Sequence, residues 1–142
     1  MPTIRILLTG ATGNVGGAAL RALLQRPSEV ELVVAARDPD RARPLLALDD
    51  TTSVAVVPFD FTKPATIAPA LRGVTSLLLV RPPAISDVQR YLRPVIEAAL
   101  AAGVGQVVFP FAARRTVQPV RAPPQSRGVS ESLRPALFTI AA

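Results

Sequence analysis

The chain has 142 residues, of which 49% are apolar, and a formal net charge of +6, so it can pack one domain around a core. It contains neither Cys nor His, which excludes disulfides, thiol chemistry, the commonest metal ligands and a histidine base. No apolar run approaches the roughly 20 residues of a membrane helix, and we expect a soluble cytoplasmic protein that binds neither membrane nor metal.

The positive charge is concentrated near the end of the chain. Residues 1–111 carry 11 basic and 9 acidic side chains, whereas residues 112–142 carry 5 Arg and 1 Glu. A basic segment can attract phosphate. However, only 4% of the residues are aromatic, and none alternates with the arginines as a base-stacking strip requires. We therefore predict no specific binding to nucleic acid.

Short apolar runs alternate with amphipathic stretches over the first 111 residues, which is typical of repeated strand–helix units. The sequence predicts strands at 3–9, 30–36, 54–59, 76–80 and 106–111. It predicts helices at 14–26, 39–48, 64–71 and 85–102, the last of them kinked or restarted near Pro94. The strands are continuously apolar, so both faces of their sheet should be covered.

Right-handed crossovers between such units give an α/β fold, a doubly wound parallel sheet of the Rossmann type with strand order 3-2-1-4-5. We assign residues 1–111 to this domain. Residues 112–142 show no clear period and are predicted to form an irregular, proline-rich tail without a domain of its own. Because nothing then covers the fifth strand, its exposed edge is expected to favour self-association.

A glycine-rich segment joins the first predicted strand to the first helix. It reads Thr-Gly-Ala-Thr-Gly-Asn-Val-Gly over residues 9–16. Gly10 allows a tight turn, Gly13 lets the backbone approach a pyrophosphate, and Gly16 lets the helix pack closely on the strand. The amides at the start of the helix favour an anion. We therefore predict a dinucleotide site with contacts from Gly10, Thr12, Gly13, Asn14, Val15 and Gly16.

The end of the second predicted strand bears on the choice of dinucleotide. An acidic residue there binds the ribose hydroxyls of NAD, whereas a guanidinium can pair with the 2′-phosphate of NADP. Arg37 occupies this position. Asp38 is adjacent and competes for the role, but Pro39 follows it, which indicates a helix cap instead. We therefore predict NADP as the cofactor, with NAD as the alternative.

Two further strand ends supply candidate cofactor contacts. Asp60 and Phe61 follow the third strand and can border an adenine, through a polar contact and an apolar wall. The alternative is a turn carboxylate beside a core aromatic. Arg81 follows the fourth strand, near the expected position of the nicotinamide, where it can contact a phosphate or a substrate or remain in solvent.

Together these segments resemble the NmrA-like branch of the atypical short-chain dehydrogenase/reductase superfamily. The resemblance covers residues 4–109 and includes Ala-Arg-Asp-Pro at 36–39, Asp-Phe-Thr at 60–62 and Arg-Pro-Pro at 81–83. It implies an NAD(P)-binding Rossmann domain followed by a region that binds a small-molecule substrate. Some members reduce quinones or carbonyl compounds, whereas others bind the nucleotide as redox-sensing regulators with little or no turnover.

The sequence departs from this family in two ways. Typical short-chain dehydrogenases use a Tyr-x-x-x-Lys pair as proton donor, but the sole tyrosine, Tyr91, is followed four residues later by Val95. We predict that Tyr91 is a packing or surface aromatic, and we assign no catalytic residue. Family character also ends after Phe109, and we interpret residues 110–142 as an out-of-frame tail, with a genuine divergent tail as the alternative.

These departures leave two functions open. The chain is either part of an NADP-dependent oxidoreductase that lacks its substrate-binding region and does not turn over alone, or a non-catalytic regulator that senses NADP(H).

Overall fold

The computed structural model describes residues 3–25, 30–48, 51–110 and 137–141. The strands are β1 (Ile4–Thr9), β2 (Val30–Ala36), β3 (Val54–Pro58), β4 (Ser76–Leu78), β5 (Gln106–Pro110) and β6 (Leu137–Ala141). The helices are α1 (Asn14–Leu24), α2 (Pro39–Leu45), α3 (Ile67–Ala70) and α4 (Val88–Ala101). A 3-10 turn at Pro64–Thr66 precedes α3.

The strands form one sheet in the order β3-β2-β1-β4-β5-β6. All four neighbouring pairs among β1 to β5 are parallel, which confirms the predicted α/β fold and the order 3-2-1-4-5. Residues alternate between the two faces of the sheet. On one face Leu7 and Leu77 pack with Val95 of α4, and on the other Leu8 and Val34 pack with α1. Helices thus cover both faces, as the apolar strands indicate.

β6 is the element that the sequence pattern does not predict. It runs antiparallel to β5, with Leu137 opposite Pro110 and Ala141 opposite Gln106. The expectation of an exposed edge at β5 is therefore wrong for the described residues, because the backbone groups of that edge pair with β6. The outermost strands of the described sheet are β3 and β6. Phe111 and residues 112–136 lie outside the described residues.

Two helices begin at aspartate caps. The Asp38 carboxylate accepts a hydrogen bond from the Arg41 amide at 3.2 Å, which confirms the predicted start of α2. The Asp87 carboxylate accepts from the Arg90 amide at 3.0 Å, so α4 begins after residue 87 rather than at 85. α4 continues through Pro94, whose missing N–H removes one helix hydrogen bond without dividing the helix. Across the described ranges, the helices lack the length and apolar character that crossing a bilayer requires.

Removing β6 tests whether it protects the edge of β5. A chain that ends at residue 136 should self-associate as its concentration rises, because unpaired backbone groups of a parallel edge strand are a template for another chain. Sedimentation velocity over a range of concentrations measures the effect, with a chain that ends at residue 141 as the control. Equal sedimentation of the two chains would contradict a protective role for β6.

Candidate functional site

A cleft of about 1120 Å³ opens where the carboxyl ends of β1 to β4 meet. In parallel sheets ligands bind at this edge, where the strand order reverses, and here β1 lies between β2 and β4. Nine of the ten predicted site residues line the cleft: Gly10, Thr12, Gly13, Asn14, Val15, Arg37, Asp60, Phe61 and Arg81. The tenth, Gly16, is buried beneath the loop.

The glycine loop is fixed to the sheet by a buried hydroxyl. Thr9 is 1% exposed. Its Oγ1 donates to the carbonyl of Val80 at 3.0 Å and accepts from the amide of Val80 at 2.8 Å. Gly10 follows with φ of +69°, and a Cβ there would lie 2.9 Å from the Val80 carbonyl oxygen. The loop therefore rests directly on the end of β4, and only glycine fits at its first position.

Gly13 and Gly16 differ in whether the structure leaves space for a side chain. A Cβ on Gly16 would lie 2.0 Å from the carbonyl oxygen of Gly10, so α1 packs against the loop only because residue 16 is glycine. Gly13 has an ordinary extended backbone, and its Cβ would meet only Gly10, at 3.4 Å. Nothing in the described chain requires glycine at 13, but a side chain there would project beside the start of α1.

The start of α1 suits an anionic group. The first amides of a helix have no intrahelical partner, and in α1 no side chain caps them. These amides and the helix dipole favour negative charge at the same place where Gly13 leaves the backbone uncovered. The loop therefore fits the pyrophosphate of a dinucleotide, which the glycine spacing predicts.

Two guanidinium groups line the cleft beyond the end of β2. Arg37 and Arg41 are both exposed there. Asp38, between them, uses its carboxylate to cap α2, as the sequence predicts. In the described ranges the ion pairs are Arg5–Glu31 and Arg93–Glu97, and neither includes these two arginines. Two positive charges therefore face one end of the cleft.

Asp60 both holds a turn and lines the cleft. Its Oδ1 accepts from the Thr62 amide at 2.8 Å and from the Thr62 hydroxyl at 2.7 Å. Burial opposes ionisation of this carboxyl, but the bonds from Thr62 and the charges of Lys63 and Arg37 outweigh it, so its pKa lies below the ordinary value. Phe61 is 8% exposed and meets Phe59 edge to face, with ring centroids 5.0 Å apart. Asp60 is therefore a turn carboxylate and Phe61 a core aromatic, and both also line the cleft, where they can border an adenine.

The opposite end of the cleft is formed by the segment that follows β4. The Arg81 guanidinium donates from Nη1 to the carbonyl of Ile85, so part of this group is bound to its own loop. Tyr91 packs half-buried against the core and also lines the cleft. The Arg90 guanidinium lies 5.4 Å from the centroid of the Tyr91 ring.

Arg41 and Tyr91 line the cleft but are not predicted from the sequence. Arg41 lies three residues after the Asp38 cap, which locates the first turn of α2 but does not by itself place that turn at the cleft. Tyr91 lies four residues after Asp87. Because the helix is predicted to begin at 85, the sequence does not place Tyr91 in the first turn, next to the cleft.

A glycine turn that enters an uncapped helix at the switch point of a parallel sheet defines a dinucleotide-binding Rossmann domain. The sequence model of the NAD(P)H-binding family matches residues 10–135, and the chain belongs to this family. The match extends past residue 110 into the segment that we interpret from its sequence as out of frame.

Similar proteins include oxidoreductases. Quinone oxidoreductase 2 from Escherichia coli strain K12 is 33% identical over 104 residues, which are 73% of this chain and 35% of that protein. The structure of the Escherichia coli NADPH-dependent quinone oxidoreductase with NADPH is 33% identical, with a TM-score of 0.59, over 70% of this chain and 34% of that one. Triphenylmethane reductase from Citrobacter sp., complexed with NADP(H), is 25% identical with a TM-score of 0.62, over 75% of this chain and 36% of that one. The chain thus spans about a third of the length of these relatives.

Substitution of Gly13 and Gly16 by alanine should show which of the two glycines is required for packing. Gly16→Ala should lower the free energy of unfolding by about 3 kcal/mol or more, because a backbone atom blocks the new Cβ. Gly13→Ala should cost about 1 kcal/mol or less, since its Cβ has space and only the cap preference is lost. Urea unfolding of both variants measures the difference. Equal losses would contradict the different contacts of the two glycines.

The lowered pKa of Asp60 predicts a pH-dependent effect of Thr62→Ala. A carboxyl whose pKa is lower in the folded state adds stability above its unfolded pKa of about 3.9, and this contribution disappears as the pH falls through the folded pKa. The variant should therefore be less stable than the wild type near neutral pH, and the difference should shrink in acid. Urea unfolding at several pH values measures it, with Thr62→Ser as the control that keeps the hydroxyl. A difference that does not change with pH would exclude Asp60 as its source.

Proposed function

We propose that the chain forms the NADP(H)-binding part of an oxidoreductase of the NmrA-like, atypical short-chain dehydrogenase/reductase type. The observation that carries this proposal is the pair of guanidiniums from Arg37 and Arg41, which share one cleft with the uncapped start of α1. A dinucleotide has a pyrophosphate in its middle and, in NADP(H), a 2′-phosphate at the adenosine end. Along the carboxyl edge of the sheet, the helix amides lie where the pyrophosphate is expected, and the two arginines lie on the β2 side, where the 2′-phosphate is expected.

Each part of the cofactor has candidate partners in the cleft. The loop from Gly10 to Gly13 and the first turn of α1, with Thr12, Asn14 and Val15, receive the pyrophosphate and the ribose next to it. Asp60 and Phe61 border the adenine, and the lowered pKa of Asp60 keeps its carboxylate ionised as a hydrogen-bond acceptor. Arg37 and Arg41 pair with the 2′-phosphate, for which a planar guanidinium is well suited.

When bound, NADPH supplies a hydride donor. The chain's own residues hold and orient it, and they exclude water from the apolar side of the cleft, where Phe59, Phe61 and Ile85 are buried. The names of the relatives suggest quinones and other ring compounds as the substrate class. We propose that residues beyond those equivalent to this chain complete the substrate pocket, as the greater length of the relatives suggests. The cytoplasm remains the location that the sequence predicts.

A second candidate function is a regulator that senses NADP(H) without turnover. It is favoured by one observation, the lack of a Tyr-x-x-x-Lys pair and of any His in the sequence. A hydride-transfer assay with quinones, which follows the absorbance of NADPH, tests the regulator. Oxidation of NADPH that depends on the quinone would exclude a function without turnover, whereas binding without oxidation is expected both of the regulator and of an oxidoreductase part that does not turn over alone.

Comparison of NADPH and NADH binding tests the proposed cofactor. Arg37→Ala and Arg41→Ala should each weaken NADPH by about tenfold and NADH by about twofold or less, because a charge-assisted hydrogen bond to the 2′-phosphate is lost only for NADPH. Calorimetric titration of the purified chain measures both affinities. Arg72→Ala is the matched control, since Arg72 is an exposed arginine outside the cleft. Equal losses for the two nucleotides would refute the 2′-phosphate role.

A further inference from the structure

Because of the order of the strands, the two ends of the cleft face different parts of a bound cofactor. Arg37 follows β2, the glycine loop follows β1, and Arg81 follows β4, which lies on the other side of β1. Adjacent strands are about 4.8 Å apart, so Arg81 lies about 10 Å from the end of β2 along the sheet edge. If the adenosine lies at β2 and the pyrophosphate at α1, as the proposed function requires, then Arg81 lies beside the reacting half of the cofactor.

The Arg81 side chain is exposed, and its guanidinium contacts its own loop. Its Nη1 donates to the Ile85 carbonyl, and the Ile85 amide donates to the Pro82 carbonyl at 3.1 Å. Pro82 and Pro83 restrict the backbone between them, and Ile85 is only 8% exposed. This contact directs the guanidinium along its own loop, and a side chain that is partly ordered loses less freedom when it binds a ligand.

The charge of Arg81 has no acidic partner within the part of the chain that the structure describes. The two ion pairs found there involve other arginines. The two carboxylates that line the cleft lie towards its other end, beyond β2 and β3, where Asp38 caps α2 and Asp60 accepts from Thr62. Among the described residues that line this end of the cleft, Arg81 is the one cation, while Arg90, which lies over the Tyr91 ring at 5.4 Å, does not line it.

An apolar wall lies next to this charge. Ile85 and Tyr91 line the same end of the cleft, and both pack with the core on the α4 side of the sheet. The Tyr91 ring gives this wall a flat aromatic surface. A single cation beside an apolar, partly aromatic wall matches a planar ring that carries a negatively charged oxygen, because the ring buries apolar area while the oxygen meets the guanidinium.

We propose that Arg81, Ile85 and Tyr91 form a binding site for a planar, oxyanion-bearing ring compound, with its oxygen on Arg81 and its ring against Tyr91. This assigns Arg81 to the second ligand rather than to a phosphate of the cofactor. The inference rests on the proposed function for the position of the reacting end, and the nucleotide is therefore titrated separately in the test.

Tyr91 makes the site directly observable. The chain contains one Tyr and no Trp, so its intrinsic fluorescence arises from this ring alone. Two probes differ mainly in charge: 2-hydroxy-1,4-naphthoquinone is anionic near neutral pH, and 2-methyl-1,4-naphthoquinone is neutral. Both are titrated into the full chain with NADP⁺ present, so that no reduction occurs. Fluorescence quenching and calorimetry measure the two affinities.

Arg81→Gln is the decisive variant, because it removes the positive charge and keeps a polar N–H donor on a shorter side chain. It should weaken the anionic ring by about tenfold or more and the neutral ring by about twofold or less, since only the anion loses a charge-assisted bond. The affinity for NADP⁺ should stay within about twofold. Tyr91→Leu, followed by calorimetry, should weaken both rings, and Arg72→Ala should change neither.

Two sets of results would overturn the proposal. Failure of the anionic ring to bind the wild-type chain, or equal binding to Arg81→Gln, would show that Arg81 does not hold such a ligand. An equal loss of NADP⁺ and of the anionic ring in Arg81→Gln would assign Arg81 to the cofactor instead. Failure of NADP⁺ to bind the wild-type chain would remove the proposed function, whereas the charge-dependent binding of the ring would still be measured by itself.

Discussion

The geometry of the cleft depends on the two hydrogen bonds between the Thr9 hydroxyl and the backbone of Val80. Thr9 and Val80 are 71 residues apart in the chain, and their contact joins the ends of β1 and β4 at a buried point. Gly10 then lies against Val80, and Gly16 lies against Gly10, each within a distance that excludes a side chain. The glycine loop, the start of α1 and the segment after β4 are therefore positioned as a unit. A shift of any one of them would disturb the other two.

The local arrangement of charge, rather than net charge, makes the cleft suitable for an anion. Residues 1–111 carry nearly equal numbers of acidic and basic side chains. The acidic groups of the cleft, however, are engaged with the protein itself, because Asp38 caps a helix and Asp60 closes a turn. The arginines beside them have no such partners in the described residues. The protein thus presents positive charge to a ligand while its own carboxylates stabilise the local backbone.

The sequence predicts most of this site because its signals are local. Glycine spacing after an apolar strand locates the phosphate loop, and Asp38 before Pro39 locates the start of α2 and leaves Arg37 for a ligand. Three features are not predicted from the sequence. β6 is held by backbone pairing with a strand more than 25 residues earlier, which side-chain periodicity does not encode.

The other two are cleft residues. The position of Tyr91 depends on where α4 begins, and a start at residue 85 instead of after the Asp87 cap places the ring in the wrong turn. The contribution of Arg41 depends on how α2 leaves the sheet, which the cap alone does not specify. For β6 and Arg41 the missing information is a contact between elements, whereas for Tyr91 it is the local cap at Asp87.

The lining of the cleft also determines how its electrostatics respond to acidity. Its ionisable groups near the phosphate loop are arginines and aspartates, and the chain has no His or Cys that titrates near neutrality. A phosphate monoester, in contrast, takes up its second proton at a pH of about 6. A change in phosphate affinity across that range therefore reflects the protonation of the bound phosphate and not of an imidazole or a thiol in the cleft.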